Sequence, residues 1–143
     1  MFYDKGAGVW KIKIKDKAFY HYLISNGVPP GRKAHRIKPP SSAVDPLWYI
    51  AGFIDGDGWV EQVAKTVKGK RYYYIRVGLK TKSRDLRDWI LQALAGLGIR
   101  ANKADKKDGY EVHIDSADAW RVIPLLQNPS HLDKARSARD DRL

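Results

Sequence analysis

The chain has 143 residues, no cysteine and a formal net charge of +11. This length suits one domain with a hydrophobic core. The absence of cysteine excludes a disulfide framework and a thiolate metal site. No apolar run is long enough to span a membrane, so we expect an intracellular protein of the cytoplasm, nucleoid or organelle matrix that is not secreted and has no membrane partner. A protein this basic most often binds a polyanion.

The first part of the chain combines apolar and basic residues. Residues 9–17 alternate apolar residues with lysine, which predicts a strand with Val9, Ile12 and Ile14 near the core. A short helix follows from Phe19 to Ile24, entered through Asp16. A basic cluster then leads to Pro39 and Pro40. This cluster is either a solvated linker or a phosphate-binding segment.

An apolar helix follows the basic cluster. Asp45 is a suitable N-cap and Pro46 suits the first helical position, so we expect a helix from there to about Ile54, stopped by Gly56 and Gly58. It is apolar around nearly its whole circumference, which predicts burial on all sides. Glycines four residues apart on one helix face allow close approach of another backbone, either a strand or a second helix.

A basic hairpin is predicted after this helix, with strands over 59–67 and 72–79 and a turn at 68–71 that carries three cations. Alternate residues of the second strand are apolar, whereas those between them are aromatic or basic. Such a ribbon fits a nucleic-acid groove, where cations bind phosphates. The register of the first strand stays open, and a bulge would account for the ambiguity.

The rest of the chain predicts core elements. Ser83 caps a helix that runs to about Leu97, with a buried face formed by Leu86, Trp89, Ile90, Ala93, Leu94 and Leu97. A second hairpin over 100–107 and 110–115 turns at Asp108 and Gly109. A core helix over 116–126 and a mixed-charge helical tail from Ser130 complete the chain. The basic residues therefore flank an acidic segment that contains Asp55 and Asp57, where buried charge requires a partner or a metal.

That acidic segment carries a resemblance. Residues 50–58, IAGFIDGDG, resemble the signature of the LAGLIDADG homing endonucleases at the alanine, both aspartates and the first and last glycines. The resemblance extends over roughly Val9 to Arg136. It implies an α/β (α+β) saddle, in which an antiparallel sheet forms the DNA-binding face, helices lie behind it, and two copies dimerise through the motif helix. We expect a single domain over 1–143, with a basic lead-in (1–46), the motif helix and core (47–136) and a charged tail (137–143).

The resemblance also implies the site. The carboxylate of Asp57 and the carbonyl of Gly56 carry over as the catalytic, metal-binding groups, with Asp55 either structural, which we favour, or a further metal ligand. Mg²⁺ is the expected cofactor, with Mn²⁺ or Ca²⁺ as alternative occupants. The expected dimer interface comprises Ile50, Ala51, Gly52, Phe53 and Gly56. The expected DNA-binding residues are Arg32, Lys33, Arg36, Lys38, Lys65, Lys68, Lys70, Arg71, Tyr72, Tyr74, Arg76, Lys80, Lys82, Lys103 and Lys106.

The function implied is that of an intron-encoded, homodimeric endonuclease that makes a double-strand break in a long, near-palindromic DNA target. An RNA maturase for intron splicing and a non-cleaving DNA-binding regulator are the alternatives. One departure bears on the choice. Many family members carry a lysine near the end of the last strand, whereas residues 114–116 offer none, so Lys80, Lys82 or Lys103 would have to substitute.

Overall fold

The computed structural model describes residues 1–31 and 34–142. Arg32 and Lys33, which we expect to contact phosphate, lie outside the described residues. Along the described chain the helices and strands are β1 (Phe2–Asp4), β2 (Val9–Lys11), α1 (Lys17–Ser25), α2 (Pro46–Asp57), β3 (Trp59–Val67), β4 (Lys70–Thr81), α3 (Arg84–Gly96), β5 (Asn102–Lys106), β6 (Gly109–Asp115), α4 (Ser116–Val122) and α5 (Pro129–Ser137).

The first strand prediction is wrong beyond its beginning. Strand β2 ends at Lys11 and pairs only with β1 in a two-stranded hairpin. Val9, Ile12 and Ile14, which we expected near the core, are 46%, 72% and 57% exposed. Apolar alternation specifies a buried strand face only where another layer packs on it, and no described element covers this segment. The helix predicted next is confirmed, and the side chain of its N-cap Asp16 accepts a hydrogen bond from Phe19 N.

A four-stranded antiparallel sheet forms the centre of the fold, in the order β3-β4-β6-β5. Val60 of β3 lies opposite Val77 of β4, and Val77 lies opposite Ile114 of β6, so these residues share one face. All three are buried in the core. We call this the inner face and the opposite side the outer face. The pairing of β3 with β4 is continuous, so the two strands contain no bulge. The register of β3, which the sequence left open, places Val60, Gln62 and Ala64 on the inner face.

Helices pack against the inner face. Helices α2 and α4 contact β4, α3 contacts β6, and α5 contacts β3. The core contains Ile50 and Ile54 of α2, Leu86, Ile90 and Leu94 of α3, and Ala119 and Val122 of α4, together with the apolar residues of the sheet. Burying side chains of this size removes enough apolar surface from water to dominate the stability. The predicted α+β fold, with helices behind one face of an antiparallel sheet, is confirmed.

Some helix boundaries and faces differ from prediction. Leu97, predicted in the buried stripe of α3, is 40% exposed because it lies beyond the last helical turn, at the C-cap. Helix α4 ends at Val122 and continues as a short 3₁₀ turn over Ile123–Leu125, where Pro124 lacks the backbone N–H that an α-helix would use. Within the described residues, no helix has the length and apolar character needed to cross a membrane.

Candidate metal centre and nucleic-acid interface

Helix α2 ends closer to the sheet than an ordinary residue would permit. Asp45 caps its start, accepting hydrogen bonds from Leu47 N and Trp48 N. The helix continues through Gly56 to Asp57, one turn beyond the predicted end, because glycine at an inner position weakens a helix without ending it. At Gly58, a Cβ would lie 2.5 Å from the carbonyl oxygen of Gly78 in β4. The last glycine of the motif therefore allows the end of α2 to touch the sheet.

The end of α2 presents oxygen atoms that suit a hard cation. The carbonyl of Ile54 accepts a hydrogen bond from Gly58 N at 2.8 Å, and the carbonyl of Asp55 accepts one from Asn128 Nδ2 at 3.1 Å. Among the described residues, no group donates to the carbonyl of Gly56 or to the exposed carboxylate of Asp57. Carboxylate and carbonyl oxygens are the ligands that Mg²⁺ prefers, and the negative end of the helix dipole favours a cation. The donor set therefore fits the expected metal.

Asp55 has different surroundings from Asp57. Its carboxylate accepts hydrogen bonds from Gln127 N at 2.8 Å and Asn128 N at 3.0 Å, and it lies 3.7 Å from Nδ1 of the buried His131. These bonds join the motif helix to the segment that starts α5. They support the structural role that we favoured for Asp55 and leave its carboxylate engaged, which argues against its alternative role as a metal ligand.

Asp57 shares a pocket of about 370 Å³ with two lysines, Lys80 and Lys82, which lie at and just beyond the end of β4. Lys80 Nζ lies 2.7 Å from Oδ1 of Asp108 in the turn between β5 and β6. Its hydrogen bond is the main reason that the pKa of the Asp108 carboxyl lies below its ordinary value. Lys80 and Lys82, two of the three lysines expected to substitute for the missing one, therefore line the same pocket as Asp57. Over the described parts of the chain, no three His, Cys, Asp or Glu side chains form a cluster able to hold a metal.

The exposed side of α2 contains two of the three motif glycines. A Cβ at Gly52 or at Gly56 would meet no atom of another described segment within 4 Å, and Trp48 at the start of the helix is 53% exposed. Phe53 is half-buried. The expected dimer interface is therefore open at Gly52 and Gly56, which leaves space for a second backbone, whereas Phe53 packs partly against the core of its own chain.

Two residues of the expected dimer interface do not lie on that side. Ile50 and Ala51 are 0% and 1% exposed and belong to the core of this chain. The prediction that they form part of the interface is wrong because α2 already buries that face against β4 and the other helices. The expectation of burial on all sides fails for the same helix, since only one face is covered.

The structure places most of the predicted basic residues on or beside the sheet. Register puts Lys65, Lys70, Tyr72, Tyr74, Arg76, Lys80 and Lys106 on the outer face. Arg71 and Lys103 instead pair opposite Thr66 and Val112, on the inner-face parity. Both are exposed because they lie near strand ends that the helices do not cover. Lys68 is in the turn between β3 and β4, Arg36 is exposed in a 3₁₀ turn, and Lys38 forms an ion pair with Asp85 at 2.8 Å.

Tyr74 is not available as a contact residue in this structure. Its ring is only 7% exposed, although it has outer-face parity. The guanidinium of Arg142 covers it, with Cζ 3.5 Å from the ring centroid. Nothing in the sequence indicated this contact, because the mixed-charge tail lies far from Tyr74 along the chain.

Acidic residues neutralise part of the positive charge on the outer face. Arg76 donates two hydrogen bonds to Asp115, at 2.8 and 3.1 Å, and these bonds raise the pKa of the guanidinium. On the neighbouring strand, His113 Nε2 lies 2.8 Å from Oε2 of Glu111. Period-two alternation accounts for the outward positions of these acids, whereas their partners depend on the pairing of β4 with β6. Arg142, whose side chain is 42% exposed, is a further cation close to this ion pair.

Comparison with known proteins places this geometry in a family. The profile of the LAGLIDADG-like domain matches residues 45–125, more than half of the chain. No curated protein sequence matches significantly. The solved structures that are similar include a homing endonuclease, I-TnaI, with 21% identity over 65% of this chain and 68% of that chain and a TM-score of 0.47.

Two further similar structures are an archaeal intron-encoded homing endonuclease, I-Vdi141I, complexed with DNA, and the homing endonuclease I-CvuI. The first is 22% identical over 55% of this chain and 52% of that chain, with a TM-score of 0.41. The second is 23% identical over 63% of this chain and 59% of that chain, also with a TM-score of 0.41. The matched domain includes α2, its terminal carboxylate and both hairpins of the sheet, and on that match the chain belongs to the LAGLIDADG-like family.

Proposed function

We propose that this protein is a site-specific DNA endonuclease that acts as a homodimer and makes a metal-dependent double-strand break. The observation that carries the proposal is the end of α2, where the open carboxylate of Asp57 shares a pocket with Lys80 and Lys82 at the end of a basic hairpin. Family membership over 45–125 supports the same activity.

The residues around Asp57 would have separate roles in cleavage. Asp57 and the carbonyl of Gly56 would hold Mg²⁺, which supplies Lewis-acid polarisation of a phosphate and a more acidic bound water. Lys80 and Lys82 would bind the oxygens of the phosphate under attack and stabilise the negative charge that develops there. Lys80 would exchange its Asp108 partner for the phosphate when DNA binds. Ile37 and Phe53 line the apolar side of the pocket and limit its access to water.

The proposed dimer follows from the number of strands to be cut. One chain supplies one Asp57, whereas a double-strand break requires hydrolysis in both strands. The open glycine side of α2 would allow the motif helices of two copies to pack closely and bring two Asp57 carboxylates together. Metal binding would offset the repulsion between these carboxylates. The target would then be long and nearly palindromic, because each copy would contact one half.

The outer face of the sheet would bind the DNA. Lys65, Lys70 and Lys80 lie on this face and the cations of the 68–71 turn extend its end. A two-stranded ribbon fits the major groove, and cations along it would contact phosphates. Lys106, in the second hairpin, would lie on the same side as Asp57 and Lys80, since the Asp108 turn is bonded to Lys80.

The proposal is tested by incubating the protein with a library of duplexes that carry a long randomised segment, in Mg²⁺ and in EDTA, and sequencing the ends produced. We expect breaks in both strands at one family of related sequences, only with metal. Retained binding to DNA or RNA without metal-dependent breaks would contradict endonuclease activity and favour a maturase or a non-cleaving regulator.

A further inference from the structure

One half of β4 has an edge that the sheet leaves unpaired. Strand β6 pairs with β4 from Arg76 to Thr81, so the preceding residues of β4 have no strand on that side. The 139–142 segment fills the gap with three hydrogen bonds. Tyr73 N donates to Asp141 Oδ2 at 2.8 Å, Asp141 N donates to Tyr73 O at 2.8 Å, and Ile75 N donates to Asp140 Oδ2 at 3.2 Å. These bonds satisfy edge groups that would otherwise be open to another strand.

This segment passes from the inner to the outer side of the sheet. Arg139 N donates to Oε1 of Gln62, a residue with inner-face parity, at 2.6 Å. Three residues later, Arg142 N donates to Asp140 Oδ1 at 2.9 Å, and the Arg142 guanidinium lies over the Tyr74 ring on the outer face. The two aspartates therefore act as an anchor, and the anchor fixes where Arg142 lies.

The position of Arg142 makes it a cation of the outer face. Its side chain is 42% exposed, and its Nη2 lies 3.8 Å from Asp115 Oδ2. A guanidinium stacked on an aromatic ring keeps its N–H donors at the rim and free to bind a phosphate. Stacking also fixes the side chain before any ligand binds, which reduces the entropy lost on binding.

Asp115 would not be left unpaired if Arg142 turned to a ligand. Arg76 already makes two hydrogen bonds to Asp115, at 2.8 and 3.1 Å, whereas the Arg142 contact at 3.8 Å is longer than a hydrogen bond. A phosphate could thus replace the weaker contact and leave the Arg76 pair intact.

We propose that the 139–142 segment is part of the DNA-binding surface and that Arg142 contacts a DNA phosphate in place of the covered Tyr74. This inference rests on the proposed function, because it requires DNA on the outer face. It adds to that face a residue from outside the two hairpins.

The test is the affinity for a fluorescently labelled duplex of arbitrary sequence, measured by anisotropy over a range of salt concentrations without divalent metal. Binding to such DNA is almost wholly electrostatic, so each phosphate contact contributes about 0.9 to the slope of log K against log salt. We expect Arg142→Ala to weaken binding and to reduce the slope by about 0.9. Arg142→Lys keeps the charge and should retain most of the slope.

The matched control is Arg136→Ala. Arg136 lies on α5, is 77% exposed and pairs with Asp133, away from the 139–142 anchor. Its removal changes net charge equally but should leave the slope within error. Thermal unfolding of each variant verifies that the fold is retained.

An unchanged salt slope in Arg142→Ala would overturn the proposal, and so would a reduction in slope equal to that of Arg136→Ala. Tighter DNA binding by Arg142→Ala would also overturn it, because it would mean that Arg142 covers the binding surface. Failure of the unmodified protein to bind DNA would instead overturn the proposed function itself. The two failures are therefore distinguishable.

Discussion

The two aspartates of the motif helix stand two residues apart and have opposite surroundings. Asp55 is engaged by two backbone N–H groups, whereas Asp57 is exposed and faces a pocket with two lysines. A helix of 3.6 residues per turn directs side chains at i and i+2 to different sides, which is why one acid can hold the fold while the other stays open. Substitution of Asp55 should therefore lower stability, whereas substitution of Asp57 should lower activity.

Asp55→Ala should destabilise the protein. The substitution leaves the N–H groups of Gln127 and Asn128 without their acceptor, and the loss of such bonds costs about 1–3 kcal/mol. Chemical denaturation measures the change, with Asp57→Ala as the matched control, for which we expect a change below about 0.5 kcal/mol. Equal losses at both positions would show that the contacts of Asp55 are not structural.

Asp108→Asn should strengthen DNA binding. Asp108 competes with DNA for Lys80, and an exposed ion pair of this kind is weak, so affinity should rise by no more than about fivefold. Lys80→Ala should lower affinity and reduce the salt slope by about 0.9. Anisotropy measures both variants. Asp133→Asn, which removes an acid from α5, measures the effect of charge alone. An equal gain in DNA affinity in Asp133→Asn would contradict the assignment of Lys80 to the DNA interface.

At the scale of elements, sequence patterns predicted α2, α3 and the two hairpins, because each has a cap, a turn or a clear period of its own. The Asp45 cap and the turn at 108 and 109 are local signals of this kind. Patterns failed where the result depends on packing between distant segments. Nothing local to Ile12 shows that its strand has no covering layer, and nothing local to Arg142 shows that it lies on Tyr74.

The anchoring of the 139–142 segment should depend on pH. The hydrogen bond from Tyr73 N, followed by that from Arg139, lowers the pKa of the Asp141 carboxyl below its ordinary 3.8. A lowered pKa means that the anchored form is favoured above pH 3.8 and is lost as pH falls through the lower folded value. The amide resonance of Tyr73, followed by NMR, should therefore titrate with a midpoint below 3.8.

Asp141→Asn provides the control for that titration, since it should abolish the pH-dependent shift at Tyr73. A midpoint at or above 3.8 would contradict the anchoring described here.

At the scale of the whole molecule, the question is what covers the open side of α2. Gly52 and Gly56 leave a strip without side chains beside the exposed Trp48, and the motif carboxylate lies at the end of that strip. The sequence predicted a close backbone contact at these glycines, but not that the sheet would contact Gly58 and leave Gly52 open. In the proposed dimer the open strip is the subunit interface.

Gly52→Leu should convert the proposed dimer to a monomer. A Cβ at this position would meet no atom of another described segment within 4 Å, so the fold should be unchanged, but two helices could no longer approach closely. Sedimentation equilibrium measures the mass. Gly96→Leu is the matched control, because Gly96 also faces open space, on α3, and this variant should remain dimeric. A Gly52→Leu dimer would place the interface elsewhere.

The most direct test of the central claim compares the unmodified protein with Asp57→Asn on one target duplex, recording Mg²⁺-dependent cleavage of each strand and DNA affinity in parallel. The substitution keeps the shape of the side chain and removes the charge that would hold the metal. We predict that cleavage of both strands is abolished while affinity changes by no more than a few-fold. An unchanged rate of cleavage in Asp57→Asn would contradict the assignment of this carboxylate as the metal ligand.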